Sequence, residues 1–156
     1  CVLWRGRELA PRDAGVYGGA HILGGIAGTV PAHALFAVPL LQASTKTRTG
    51  GAQWLSEGVA AFGLIVVILA GLRFQRSAVP WLVGLYITAA YWFTASTSFA
   101  NPAVAIARAF TDTFSGIRPL DLPGFIIAQL VGAVLGLALM GWLLGNKTSP
   151  ATETSR

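Results

Sequence analysis

Asn101-Pro102-Ala103 carries the most definite chemistry in this chain. Asparagine caps exposed helix N–H groups and proline fits the first helical position. A helix is therefore predicted over 101–111, before Asp112 and Gly116 end the pattern. About ten helical residues rise roughly 15 Å, half the hydrocarbon thickness of a bilayer. Fully extended, the stretch from Thr94 to Ala100 reaches about 23 Å, far enough to return from a membrane surface to its midplane. The economical reading is a re-entrant loop whose short helix starts near the bilayer centre. The positive end of that helix and the Asn101 amide would then face the middle of a pathway. They would offer a donor to a neutral solute and repel cations and protons. An ordinary surface helix with a good cap would carry the same motif.

Other residues with chemical potential are few. Glu57 sits near the start of an apolar run with no cation beside it, and an intramembrane carboxyl is a functional hypothesis by default. A proton relay through it would need titratable partners, and none lies nearby in sequence. His21 and His33 are twelve residues apart, about 120° around a helix, so they do not share a metal face. His21 reads as a packing hydrogen-bonder; His33 either lines a pathway or sits at a helix end. The one cysteine, Cys1, leaves no disulfide or CxxC site. No metal, no cofactor and no nucleophile–base pair is expected, which leaves an enzyme as the least favoured class. Arg108 follows Asn101 by seven residues, nearly on the same helix face and about 10 Å further along. It would line an outer vestibule or simply complement the helix dipole. Tyr91, Trp92 and Phe93 suggest an interfacial aromatic belt.

The elements that must position these residues are set by composition. Of 156 residues, 54% are hydrophobic and 11% charged, against about 25% charged in soluble domains. The net charge of +5 lies between apolar blocks, which is membrane punctuation and not a nucleic-acid face. Four spans are expected, at roughly 15–41, 51–72, 79–93 and 122–144, with a solvated tail over 146–156. Seven Lys and Arg residues fall on the side of residue 1 and the C-terminus, against four on the other; the first side is expected to be cytoplasmic. No signal peptide is evident, and the missing initiator Met suggests a chain that begins inside a longer one.

Self-comparison at an offset of 108 adds an internal repeat. Pro11-Arg12-Asp13 recurs as Pro119-Leu120-Asp121, and Ala20, Gly24, Gly28 and Leu35 match Ala128, Gly132, Gly136 and Leu143. Asp13 and Asp121 are expected to cap helix starts. The pairs Gly24 and Gly28, and Gly132 and Gly136, are expected to let another backbone approach closely. Because the first and fourth spans would cross in opposite directions, the repeat is an inverted one, as in many channels and transporters. The partner of the Asn101 segment would fall just upstream of Cys1.

With these residues in view, the chain resembles the aquaporin, or major intrinsic protein, family over essentially its whole length. The resemblance rests on Ser98-Phe99-Ala100-Asn101-Pro102-Ala103, on Ser56-Glu57-Gly58, and on the paired Ala-His/Gln-x-x-Gly elements. It implies an all-α membrane protein: a right-handed helical bundle with an inverted repeat and six spans in the full chain. Four of those spans and one re-entrant half-helix would lie here, in a C-terminal portion. It also implies that Asn101, Pro102 and Ala103 form a pore box, and that Glu57 holds the re-entrant loop by accepting backbone N–H bonds. Constriction positions counted from Asn101 fall on Ala89, Ser98 and Val104. Val104 and Ala89 stand where water-selective members carry Arg and His, so a wider opening is implied. The run from Tyr91 to Val104 most resembles the branch associated with arsenic-resistance operons.

The expected function is passive passage of small neutral solutes: water, glycerol and undissociated arsenite-like acids. A homotetramer in the bilayer of a bacterial inner membrane is expected, with no nucleic-acid partner. The alternative is a secondary transporter with inverted repeats and a broken helix, for which Asp112 would be the coupling carboxylate.

Overall fold

The computed structural model describes residues 10–145, so Cys1 and the expected tail over 146–156 lie outside the described residues. All regular elements there are helical: α1 (Pro11–Leu35), α2 (Gly51–Phe74), α3 (Val79–Phe93), α4 (Pro102–Arg108) and α5 (Leu122–Gly145). Short 3-10 turns, Arg76–Ala78 and Pro119–Asp121, lead into α3 and α5. The segments Gly51–Phe74 and Pro119–Gly145 are long and apolar enough to cross a membrane, with mean hydropathies of 2.2 and 2.1. Only 22% of each apolar window is buried within the chain, so most of that surface needs lipid or more protein to cover it. With 25 residues α1 is long enough to span, whereas the 15 residues of α3 are short.

The first helix departs from the span expected over 15–41: it starts at Pro11 and stops at Leu35. Its end is a Schellman turn. Val38 N–H donates to the His33 carbonyl at 3.0 Å and Ala37 N–H to that of Ala34 at 3.2 Å, with Ala37 in the left-handed region at φ 52°. Glycine usually takes that position, so alanine there hid the stop among apolar letters. At the other end Ala10 is the N-cap and no side chain caps the helix. Asp13 therefore sits inside the first turn and is not the expected cap. Asp121 is not a cap either; it accepts from Arg48 N–H at 2.8 Å and from Arg118 at 2.9 Å, tying two loops together.

The tightest packing is between α2 and α5. A Cβ at Gly132 would come within 3.0 Å of Gly58 Cα and closer still to its carbonyl oxygen, and one at Gly136 within 2.9 Å of the Phe62 carbonyl. Gly24 and Gly28 behave differently from their repeat partners, with nothing within 4 Å of a Cβ at either. The close approach on α1 falls instead on Gly25, 2.9 Å from Ala107. The neighbour of α1 is the seven-residue α4, too short to cover the whole glycine face. Gly132→Ala is expected to lower the unfolding midpoint in detergent by the equivalent of about 1–3 kcal/mol, the usual cost of overpacking. Gly141→Ala, in open space, is expected to be neutral or mildly stabilising. Equal midpoints for the two variants would show that the α2–α5 contact does not need glycine.

Candidate functional site

The segment between α3 and α4 is held in a shape that its residues do not favour on their own. Thr97, Ser98 and Ala100 have φ of 63°, 48° and 52°, left-handed values that cost non-glycine residues about 1–3 kcal/mol each. Glu57, 0% exposed, offsets this. Its Oε1 accepts from the Ser96 hydroxyl at 2.6 Å and Phe99 N–H at 2.8 Å. Its Oε2 accepts from Ala100 N–H at 2.9 Å and the Gln129 amide at 2.6 Å. Every partner donates, which suits a carboxylate that only accepts. Consecutive N–H groups in left-handed turns form an anion-binding concavity, and a side chain of α2 fills this one.

The loop delivers Asn101 to the start of α4. Asn101 Oδ1 accepts from Ala103 N–H at 2.8 Å, so its NH₂ is free of the cap. The helix ends at Arg108, short of the expected 101–111, because other chain segments take its terminal carbonyls. Ile117 N–H donates to Arg108 O at 3.2 Å and Ser44 N–H to Ala109 O at 2.8 Å. Behind α4 lies a small core of Phe99, Ala105, Ile117 and Phe125, with Val104 and Leu122 against it.

A second clamp, which the sequence pattern did not announce, comes from the segment joining α1 to α2. Arg48 is 6% exposed. Its guanidinium donates to the carbonyls of Gly116 at 2.7 Å, Ser96 at 3.0 Å and Phe114 at 2.6 Å. It thereby joins the loops on both sides of α4. Burial, and then the nearby positive charge of Arg108, lowers the Arg48 pKa from its ordinary value, opposed by the charge of Glu57. Arg48 and Arg108 both approach the Phe99 ring, at 5.3 and 4.3 Å from its centroid.

A cavity of about 1210 Å³ lies between α1 and α4. Gly24, Gly25 and Gly28 open one wall, Ala103, Val104, Ala107 and Arg108 form the other, and His33, Thr111, Thr113 and Ser115 close one end. Of the sequence-derived site residues it gathers Ala103, Val104, Arg108, Gly24 and Gly28. The three constriction positions do not meet on it. Ser98 is buried in the left-handed turn with its hydroxyl unpaired, and Ala89 is exposed on α3, which packs along α2.

Arg108 donates to the Tyr91 hydroxyl and keeps a buried, unpartnered Nη1. Tyr91 is 36% exposed and Trp92 88%. His21 also lines the cavity, its ring nitrogen 3.3 Å from the Tyr17 carbonyl. Asp112 accepts from Thr45 N–H and hydroxyl at 2.8 and 3.1 Å, a tie between exposed loops. Among the described residues no group of His, Cys, Asp and Glu could hold a metal ion.

The Major intrinsic protein family profile matches residues 59–155. The chain is also 67% identical over 151 residues to aquaglyceroporin AqpS of Rhizobium meliloti (strain 1021), an alignment covering 93% of this chain and 65% of that protein. The chain thus spans just under two thirds of the length of this relative. No solved structure matches it. A locked turn feeding a short asparagine-capped helix, in an all-helical apolar chain with these likenesses, places the chain in the major intrinsic protein family of integral membrane proteins.

Proposed function

We propose that this chain forms part of the wall of a passive channel for small neutral solutes, with water and glycerol foremost and undissociated arsenite-like acids as further permeants. The carrying observation is the Glu57-locked turn, which sets α4 beside a cavity of about 1210 Å³ opposite the glycine face of α1. Such a channel needs no reacting group. It needs a fixed opening, a few donors and a barrier to ions. The Asn101 amide and the Arg108 guanidinium supply donors, and Arg108 on the cavity wall supplies positive charge. The likeness to an aquaglyceroporin supports the solute class, and the family is one of channels and not of enzymes. The protein works as a homotetramer in the bacterial plasma membrane, with residue 1 and the C-terminus cytoplasmic. Asp112, the carboxylate a coupled transporter would use, is engaged by Thr45 in exposed loops, which favours the channel.

The test is stopped-flow light scattering on proteoliposomes, using protein expressed from its own start codon. Glycerol and water flux that survives collapse of proton and sodium gradients is expected. Flux that stops with a gradient would replace the channel by the transporter. Val104 lines the cavity at half-burial. Val104→Arg is expected to cut glycerol flux at least about tenfold while sparing water, since it adds both bulk and charge at the opening. Unchanged glycerol flux would move the narrow point elsewhere.

A further inference from the structure

His33, in the last turn of α1, is 3% exposed and both its ring nitrogens are engaged. Nδ1 lies 2.9 Å from the Leu40 carbonyl and Nε2 lies 2.9 Å from Thr111 Oγ1. A carbonyl can only accept, so the neutral ring carries its proton on Nδ1 and Nε2 is the acceptor. The Thr111 hydroxyl therefore donates to His33. Thr111 Oγ1 lies 3.2 Å from Thr113 Oγ1, which in turn lies 3.1 Å from Ser115 Oγ. With the Thr111 proton spent on His33, Thr113 must donate to Thr111 and Ser115 to Thr113. The ring thus sets the direction of the whole chain of hydroxyls.

That direction has a chemical consequence. All three hydroxyl protons are spent inside the chain, so what it shows a solute is oxygen lone pairs alone. His33, Thr111, Thr113 and Ser115 all line the cavity. Phe114 joins this lining, whereas Asp112 does not. Arg108, also on the cavity, shows donors alone and has a buried Nη1 with no partner.

We propose that His33, Thr111, Thr113 and Ser115 form a specificity-determining acceptor track that selects neutral solutes carrying several hydroxyl groups. A polyol donates to the track from one hydroxyl while its other oxygens accept from Arg108. An apolar solute of equal size leaves both sets unpaired and is held less well. This rests on the channel reading above.

The test measures glycerol and water flux in liposomes for protein expressed from its own start codon, carrying Thr113→Val, Thr113→Ser or Ser115→Ala. Thr113→Val keeps the shape and removes the hydroxyl. It is expected to slow glycerol entry roughly three- to tenfold, the worth of one hydrogen bond, while water changes by less than about twofold. Thr113→Ser is expected to restore glycerol flux, which a role in loop shape alone would not predict. Ser115→Ala, at the open end of the chain, is expected to act like Thr113→Val without disturbing the fold. Glycerol and water falling together, or no rescue by serine, would reduce the track to loop structure and overturn the proposal. Normal glycerol flux in both Thr113→Val and Ser115→Ala would overturn the track and leave the channel standing. Absence of glycerol flux in the unsubstituted protein would overturn the solute reading and the track with it.

Discussion

Glu57→Gln is expected to reduce solute flux more than tenfold and to lower the yield of folded protein in detergent. The carboxylate receives four donors, from Ser96, Phe99, Ala100 and Gln129. A glutamine offers one oxygen and one NH₂, so in either orientation one backbone N–H, that of Phe99 or Ala100, would face another donor, while the Ser96 hydroxyl or the Gln129 amide beside it can turn to accept. A buried N–H left without a partner costs about 1–3 kcal/mol. That is an appreciable share of the roughly 5–15 kcal/mol that holds a folded protein together. The left-handed residues of the turn would lose the contacts that fix them, and Asn101 would lose its placement at the head of α4. Flux through reconstituted protein and its elution profile in detergent check the expectation. A Glu57→Gln protein that conducts at the unsubstituted rate would show that the turn is held by something else.

The second large effect is expected from Arg48→Met, which keeps the length of the apolar stem and removes the fork. Three carbonyls, those of Ser96, Phe114 and Gly116, would lose their charged donor at once. Hydrogen bonds to charged groups are worth about 1.5–3 kcal/mol each, so the loss is no smaller than that at Glu57. It falls on the loops on both sides of α4, at Phe114 and Gly116 after it and at Ser96 in the turn before Asn101. Amide hydrogen exchange over 109–121 is expected to rise by orders of magnitude, with flux falling alongside. Arg48→Lys separates charge from geometry. A point-charge ammonium cannot reproduce three divergent planar contacts, so lysine is expected to recover only part of the protection. Full recovery with lysine would mean that the positive charge matters and the fork does not.

Much of this site was readable before any coordinates because its signals are local. The Asn101-Pro102 start of a short helix is written in adjacent residues, and Asn101 does cap α4 through Ala103 N–H. The apolar runs and the scarcity of charge announce a membrane protein, since no fold can hide so much apolar surface from water with so few polar residues. Glu57 stood out as an uncompensated carboxyl in an apolar run, and Gly132 and Gly136 as places where a backbone could come close. What escaped the sequence depends on distant partners. The end of α1 at Leu35 rests on a left-handed alanine that the apolar pattern conceals. Arg48 looked like one more loop cation, because the carbonyls it binds are 48, 66 and 68 residues away.

His33 had two open readings, and the structure joins them. It sits in the last turn of α1 and also lines the cavity, bonded to Thr111 across 78 residues. Asp13 and Asp121 share a lead-in motif, yet one is an ordinary first-turn residue and the other latches Arg48 to Arg118. Caps, breaks and apolar periods are decided within a few residues, by backbone sterics and hydration that every chain carries locally. Which carbonyl meets which guanidinium, and which hydroxyl meets the histidine, is decided by packing between segments far apart in the chain. Only the folded arrangement brings those groups within the 3 Å or so at which hydrogen bonds form.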